Sequence, residues 1–171
     1  MSIFLPHIEG TLEVGRVPED LPGAIRRRVE NGLFQPGVRK RANYVVRREA
    51  KDAIDFGAAD WWTALAIGLN EVQVRRLSDG RLAYSITFWR WAGYVIGLGA
   101  VLGAALLGSS LLEYVRRQVR EQGGLVVFLA IVLFWAVVWP WILIAVHRLV
   151  VRKQLERILR QLVEAEAIRR S

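Results

Sequence analysis

Apolar residues follow two regimes along this 171-residue chain. Up to about residue 90 they recur at strand or helix spacing among charged residues. Beyond that they form two uncharged runs, Trp91–Leu112 and Leu125–Val146, of 22 residues each. At about 1.5 Å of rise per residue a run of this length measures roughly 33 Å, close to the hydrocarbon thickness of a bilayer. A chain this short has no interior in which to bury two such helices on every side. The runs therefore predict a transmembrane hairpin. It divides the chain into a domain at 1–90, spans at 91–112 and 125–147, an external linker at 113–124 and an amphipathic helix at 148–171.

The first 90 residues read as a small α+β domain built on an antiparallel sheet with one or two helices. Leu21, Ile25, Val29 and Leu33 make one apolar stripe, with Asp20 as N-cap and Pro22 in the first turn. A helix is expected from Leu21 to Leu33, followed by a turn-rich connector, "FQPGVRKR". Tyr44 and Val46, then Ile54 and Phe56, alternate as two strands around a turn near residues 50–52. The segment "EVQVRRLSDGRLAYSITFW" is the clearest hairpin. A three-residue loop, Ser78-Asp79-Gly80 with Gly80 left-handed, pairs Val74 with Tyr84 and Val72 with Ile86 and gathers the apolar side chains on one face. "IEGTLEV" is a further candidate strand. Asp60 can cap a short, nearly all-apolar helix over Trp61–Leu69. Core is its expected fate, with the membrane surface or a buried strand as alternatives.

In the first span Gly93, Gly97, Ala100, Ala104 and Gly108 recur as one stripe of small residues, and Gly99 and Gly103 form a second GxxxG pair on another face. Small residues let helices approach closely in lipid, where packing rather than hydrophobicity drives association. One seam can take the second span; two seams favour a homo-oligomer. In the second span Pro140 removes a backbone donor, crowds the carbonyl of Ala136 and predicts a kink. Trp135 and Trp139 share a face as bulky partners for a glycine-lined neighbour, and the freed carbonyl can accept an indole N–H. Past the span, Val151, Leu155, Ile158 and Leu162 form an apolar stripe at alternating spacing. With no Gly or Pro after Pro140, one nearly continuous helix is expected from about Leu125 to Ile168.

Charge orients the hairpin. Arg75, Arg76, Arg81 and Arg90 precede it; Arg148, Arg152, Lys153, Arg157 and Arg160 follow it. The linker holds Arg116, Arg117 and Arg120. Nine against three places both termini in the cytoplasm. Trp89, Arg90, Trp91 and Tyr94 at the start of the hairpin, and Arg148, Arg152 and Lys153 at its end, are expected interfacial anchors. The Arg-rich segments at 24–30 and 37–51 can also meet anionic lipid head groups, although a solvated basic face accounts for them more simply. The net charge of +8 then needs no nucleic acid. The 21 Arg against 3 Lys suit a GC-rich bacterial genome, and the absence of a visible signal peptide suits direct insertion into a bacterial inner membrane.

Chemistry is sparse. No cysteine is present, which removes disulfides, thiolate metal sites and cysteine nucleophiles. Ser109 and Ser110 fall at the opposite end of the hairpin from His147, too far for a dyad within one chain. Asp52, Asp55 and Asp60 lack calcium-loop spacing, and "GLGAVLG" lies inside a span with no Rossmann context. No cofactor, metal or catalytic residue is expected. The expected function is a membrane-anchored, non-enzymatic interaction or assembly module, a homo-oligomer or a subunit bound to other membrane proteins. A homo-oligomeric pore or transporter accessory subunit, and a lipid-modifying enzyme or enzyme subunit, are the alternatives.

Overall fold

The computed structural model describes residues 6–15, 17–34, 44–77, 80–122 and 124–170. They fall into two compact units, 1–91 with 148–171 and 92–147.

The first unit is α+β. Five antiparallel strands, β1 (His7–Glu13), β2 (Tyr44–Ala50), β3 (Ala53–Ala58), β4 (Glu71–Arg76) and β5 (Arg81–Thr87), lie in the order β1-β5-β4-β3-β2. Alternation sets the faces. Ile8 and Leu12, Leu82, Tyr84 and Ile86, Val72 and Val74, and Ile54 and Phe56 are buried on one side. Glu9, Glu13, Arg81, Glu71 and Gln73 point away, as expected of an antiparallel sheet with one face in water. Val74 pairs with Tyr84 and Val72 with Ile86, the register that hydrophobic alternation favours. Gly80 takes φ 74°; Ser78 and Asp79 lie outside the described residues. A bulge falls between Val46 and Arg48, so the alternation of β2 breaks at Arg47.

Helix α1 (Leu21–Glu30) covers the apolar face, with the Asp20 carboxylate accepting from the Gly23 N–H at 3.0 Å. It ends three residues before the expected Leu33, because Asn31 caps it and Gly32 turns left-handed at φ 103°. Leu33 is buried all the same. Most of the connector after it, 35–43, including Arg39, Lys40 and Arg41, lies outside the described residues. Helix α2 (Trp61–Ile67) starts at Asp60, whose carboxylate accepts from Thr63 N–H at 2.7 Å, and stops at Gly68, φ 78°. Its fate is split: Ala64 and, beyond its end, Leu69 are core, whereas Trp61 and Trp62 are exposed.

In the second unit α3 (Trp89–Ser109), whose first three residues belong to the sheet unit, is followed by α4 (Glu113–Gln122), so the expected linker is itself helical. Glu113 pairs there with Arg116, and Arg117 with Glu121 at 3.8 Å. Helix α5 (Gly124–Leu133), a π-helical turn (Phe134–Val138) and α6 (Trp139–Arg170) then run on without a break. The Trp139 N–H reaches back five residues to the Phe134 carbonyl. This wide turn lies just before Pro140, whose missing N–H the backbone ladder has to accommodate. Two helices, Trp89–Ser109 and Gly124–Arg169, are long and apolar enough to cross a membrane.

Candidate interaction surfaces

In the second unit α3 meets the π-turn region through Gly99 and Gly103. A Cβ on Gly99 would strike the Pro140 ring and lie 3.1 Å from the Ala136 carbonyl oxygen and 3.2 Å from that of Trp135. One on Gly103 would lie 2.6 Å from Ala136 Cβ. Glycine is required at 99 because backbone sits against it. The backbone carbonyls of Trp135 and Ala136 face this glycine, whose Cα hydrogens can serve as weak donors.

Ala136 and Pro140, not Trp135 and Trp139, are therefore the partners of the glycine seam, contrary to expectation. Small residues on both helices allow the closest approach. The indoles turn outward instead and pack on each other, Trp135 on Trp139 at 5.7 Å between centroids and Phe134 on Trp139 at 6.2 Å. The longer stripe, Gly93, Gly97, Ala100, Ala104 and Gly108, is exposed, and a Cβ on any of its three glycines would meet nothing within 4 Å.

In the first unit the tail of α6 lies on the apolar side of the sheet. Val151, Leu155, Ile158 and Leu162 are buried, together with Leu159 and Val163. Two polar clasps flank this seam, and sequence reasoning missed both. Tyr84 donates to Glu156 Oε1 at 2.5 Å, and Arg152 Nε donates to the same oxygen at 2.9 Å. Burial would raise the Glu156 carboxyl, but the two hydrogen bonds outweigh it and hold the group below its ordinary range. Burial, then the bond to Glu156, pushes the Tyr84 phenol up to about 12. Gly10 makes the contact possible: it pairs with Tyr84 across β1 and β5, and a Cβ there would collide with the phenol ring. At the other clasp Arg27 of α1 donates to Glu166 at 3.0 Å and to Asp20 at 3.2 Å, and Arg169 approaches Glu166 at 3.6 Å. The signal for these pairs was faint in the sequence, since the partners are 72 and 139 residues apart.

The expected anchors fall on both units. Arg90 stacks between two indoles, 5.7 Å from the Trp61 ring and 5.4 Å from that of Trp89. Arg152 is committed to Glu156, while Lys153 is exposed. Arg148 and Trp91 are half-buried, and Tyr94 is exposed on α3.

Groups suited to chemistry are scattered. Among the described residues no three His, Asp or Glu side chains are placed to hold a metal. His7 contacts Glu9 at 3.0 Å on the sheet edge. Ser109 and Ser110 return their hydroxyls to the carbonyls of Leu106 and Leu107. A cleft of ≈ 930 Å³ between the tail and the β-turns is lined by Val17, Glu19, Asp52, Arg76, Val163 and Glu166. Its Arg76 is engaged by the Val17 carbonyl at 2.9 Å, and no Ser or His lines it among the described residues. No family model, curated protein or solved structure matches the chain.

Proposed function

We propose that this chain is a two-pass bacterial inner-membrane protein with both termini in the cytoplasm, acting as a non-enzymatic assembly module. One observation carries the membrane reading. The apolar windows of the two long helices are only 22% and 17% buried, where the core helices of a water-soluble protein would be mostly enclosed. Val101, Leu107, Leu125, Val126 and Leu133 all stand exposed, a surface that lipid tolerates and water does not. Nine Lys/Arg flank the two runs on the domain side against three in the linker, the asymmetry that supports cytoplasmic ends.

The assembly reading rests on the exposed stripe. Gly99 and Gly103 are occupied by the chain's own second helix, while Gly97 and Ala104 remain open. A second copy, or the helix of another membrane subunit, fits that stripe by the same close packing.

Topology is tested by placing single cysteines in this cysteine-free chain. Positions 2 and 171 should resist a membrane-impermeant thiol reagent in intact cells, and position 118 should react. Labelling in the reverse pattern would invert the topology; equal labelling at all three would remove the membrane reading. Assembly is tested by disulfide cross-linking of Gly97→Cys in native membranes, with Val126→Cys as a control on an exposed apolar surface.

A further inference from the structure

A second membrane contact follows from the corner formed by α2 and the start of α3. Asp60 and Gly68 cap α2 at its two ends, and its inner side is anchored by buried Thr63 and Ala64. That leaves Trp61 50% and Trp62 78% exposed, beside Trp89 at 51%. The corner is pinned by a buried side chain. Asn70 donates to the Ala64 carbonyl at 3.5 Å near the end of α2 and accepts the Arg90 backbone N–H at 2.9 Å in the first turn of α3. Its own N–H bonds to the Thr87 carbonyl at 2.9 Å. Arg90 then stacks over both Trp61 and Trp89.

We propose that Trp61, Trp62 and Trp89, gathered around Arg90, form a bilayer-docking surface that seats the sheet domain at the head-group level. The inference rests on the two-span reading. Trp89 and Arg90 are the first residues of α3, whose uncharged run begins at Trp91. If α3 spans, chain connectivity alone sets these two residues at the interface. Trp61 touches Arg90, so it lies at the same depth to within the width of a ring, and Trp62 follows it directly in the chain.

The residue types agree with that depth. An indole is an apolar plate with one polar N–H, favoured where hydrocarbon gives way to head groups. Stacking engages the faces of the guanidinium and leaves its in-plane N–H donors free to take a lipid phosphate in bidentate fashion. Three exposed indoles gathered at one corner form the kind of apolar patch that marks a contact site. The domain is thereby held to the leaflet at α2 as well as through the helices that leave it.

The test uses the full chain in vesicles of mixed phosphatidylcholine and phosphatidylglycerol, with one nitroxide label per sample. Labels go on Trp62→Cys, on Leu102→Cys in the middle of α3 and on Lys51→Cys in the β2–β3 turn. Collision with oxygen reports lipid, and collision with a water-soluble nickel chelate reports solvent. The expected result is high oxygen accessibility at 102, high nickel accessibility at 51, and nickel accessibility at 62 several-fold below that at 51 with raised oxygen accessibility. Equal nickel accessibility at 62 and 51, with 102 still in lipid, overturns the docking surface and leaves the two-span reading standing. Solvent exposure at 102 overturns both. Protection of 62 from both reagents means that a protein covers the corner, which also overturns the proposal. As a second variant, Trp61→Ala with Trp62→Ala should raise nickel accessibility of a label at Ala59→Cys to the level seen at 51; no change there counts against the proposal.

Discussion

The phenol of Tyr84, in the centre of β5, reaches across Gly10 of the edge strand to donate to Glu156 Oε1 of the C-terminal helix at 2.5 Å. One hydrogen bond thus joins the sheet to a helix that the chain reaches only after passing through both long apolar segments. The contact is small beside the apolar seam of Leu155, Leu159 and Leu162, yet it is directional. It sets which turn of the helix lies over which strand.

Tyr84→Phe should keep the fold and lose the clasp. A hydrogen bond to a charged acceptor contributes about 1.5–3 kcal/mol, so the variant should unfold at correspondingly lower urea. Glu156→Gln should show a large coupling with it in a double-mutant cycle. Additive effects would mean that the two groups do not cooperate.

The same pair sets a pH dependence. The folded Glu156 carboxyl is held below its ordinary value, so its stabilisation is fully present above the unfolded value, about 4.3, and is lost as pH falls through the folded value. Tyr84 is raised to about 12. Its stabilisation is present below the unfolded value, about 10, and is lost as pH rises through about 12. Unfolding curves of the wild type and of Glu156→Gln should therefore converge in acid and differ between the two limits.

Leu155→Ala should cost about 2–5 kcal/mol, the range for a large-to-small change at a fully enclosed site. The chain buries Leu155 itself, so thermal unfolding should show the loss at every protein concentration. A loss that appears only on dilution would place Leu155 between copies instead.

Gly99→Leu and Gly97→Leu should separate two kinds of helix contact. The first drives a side chain into Pro140 and the carbonyls of Trp135 and Ala136, and overpacking of this kind costs about 1–3 kcal/mol. Its signature is a lower melting temperature in detergent. The second meets nothing within the chain, so stability should hold while the oligomeric state changes. An unchanged oligomer in Gly97→Leu would take the stripe out of the assembly.

Periodicity alone carried a good part of the fold. The stripe Leu21, Ile25, Val29 and Leu33, the alternation in β4 and β5 and the pairing of Val74 with Tyr84 depend on neighbours a few residues apart, and a period of 3.6 or 2 writes such contacts directly into the chain. The two uncharged runs are equally legible, because length and the absence of charge are one-dimensional properties. Helix ends were less so: α1 stops at Glu30 because Asn31 and Gly32 turn the backbone, although the apolar stripe continues to Leu33.

Tertiary structure alone decided which faces meet. Both small-residue stripes of α3 read alike in sequence, yet only Gly99 and Gly103 receive Ala136 and Pro140, because the choice depends on the rotation of one helix about another. The same holds for Tyr84 with Glu156 and Arg27 with Glu166, where single polar residues far apart in the chain have no periodic signature. It holds as well for α2, whose nearly all-apolar composition made core the expected fate and left the membrane surface or a buried strand as alternatives. Thr63 and Ala64 are buried, but Trp61 and Trp62 stand outside, since a two-turn helix at the rim of a sheet has only one side to bury.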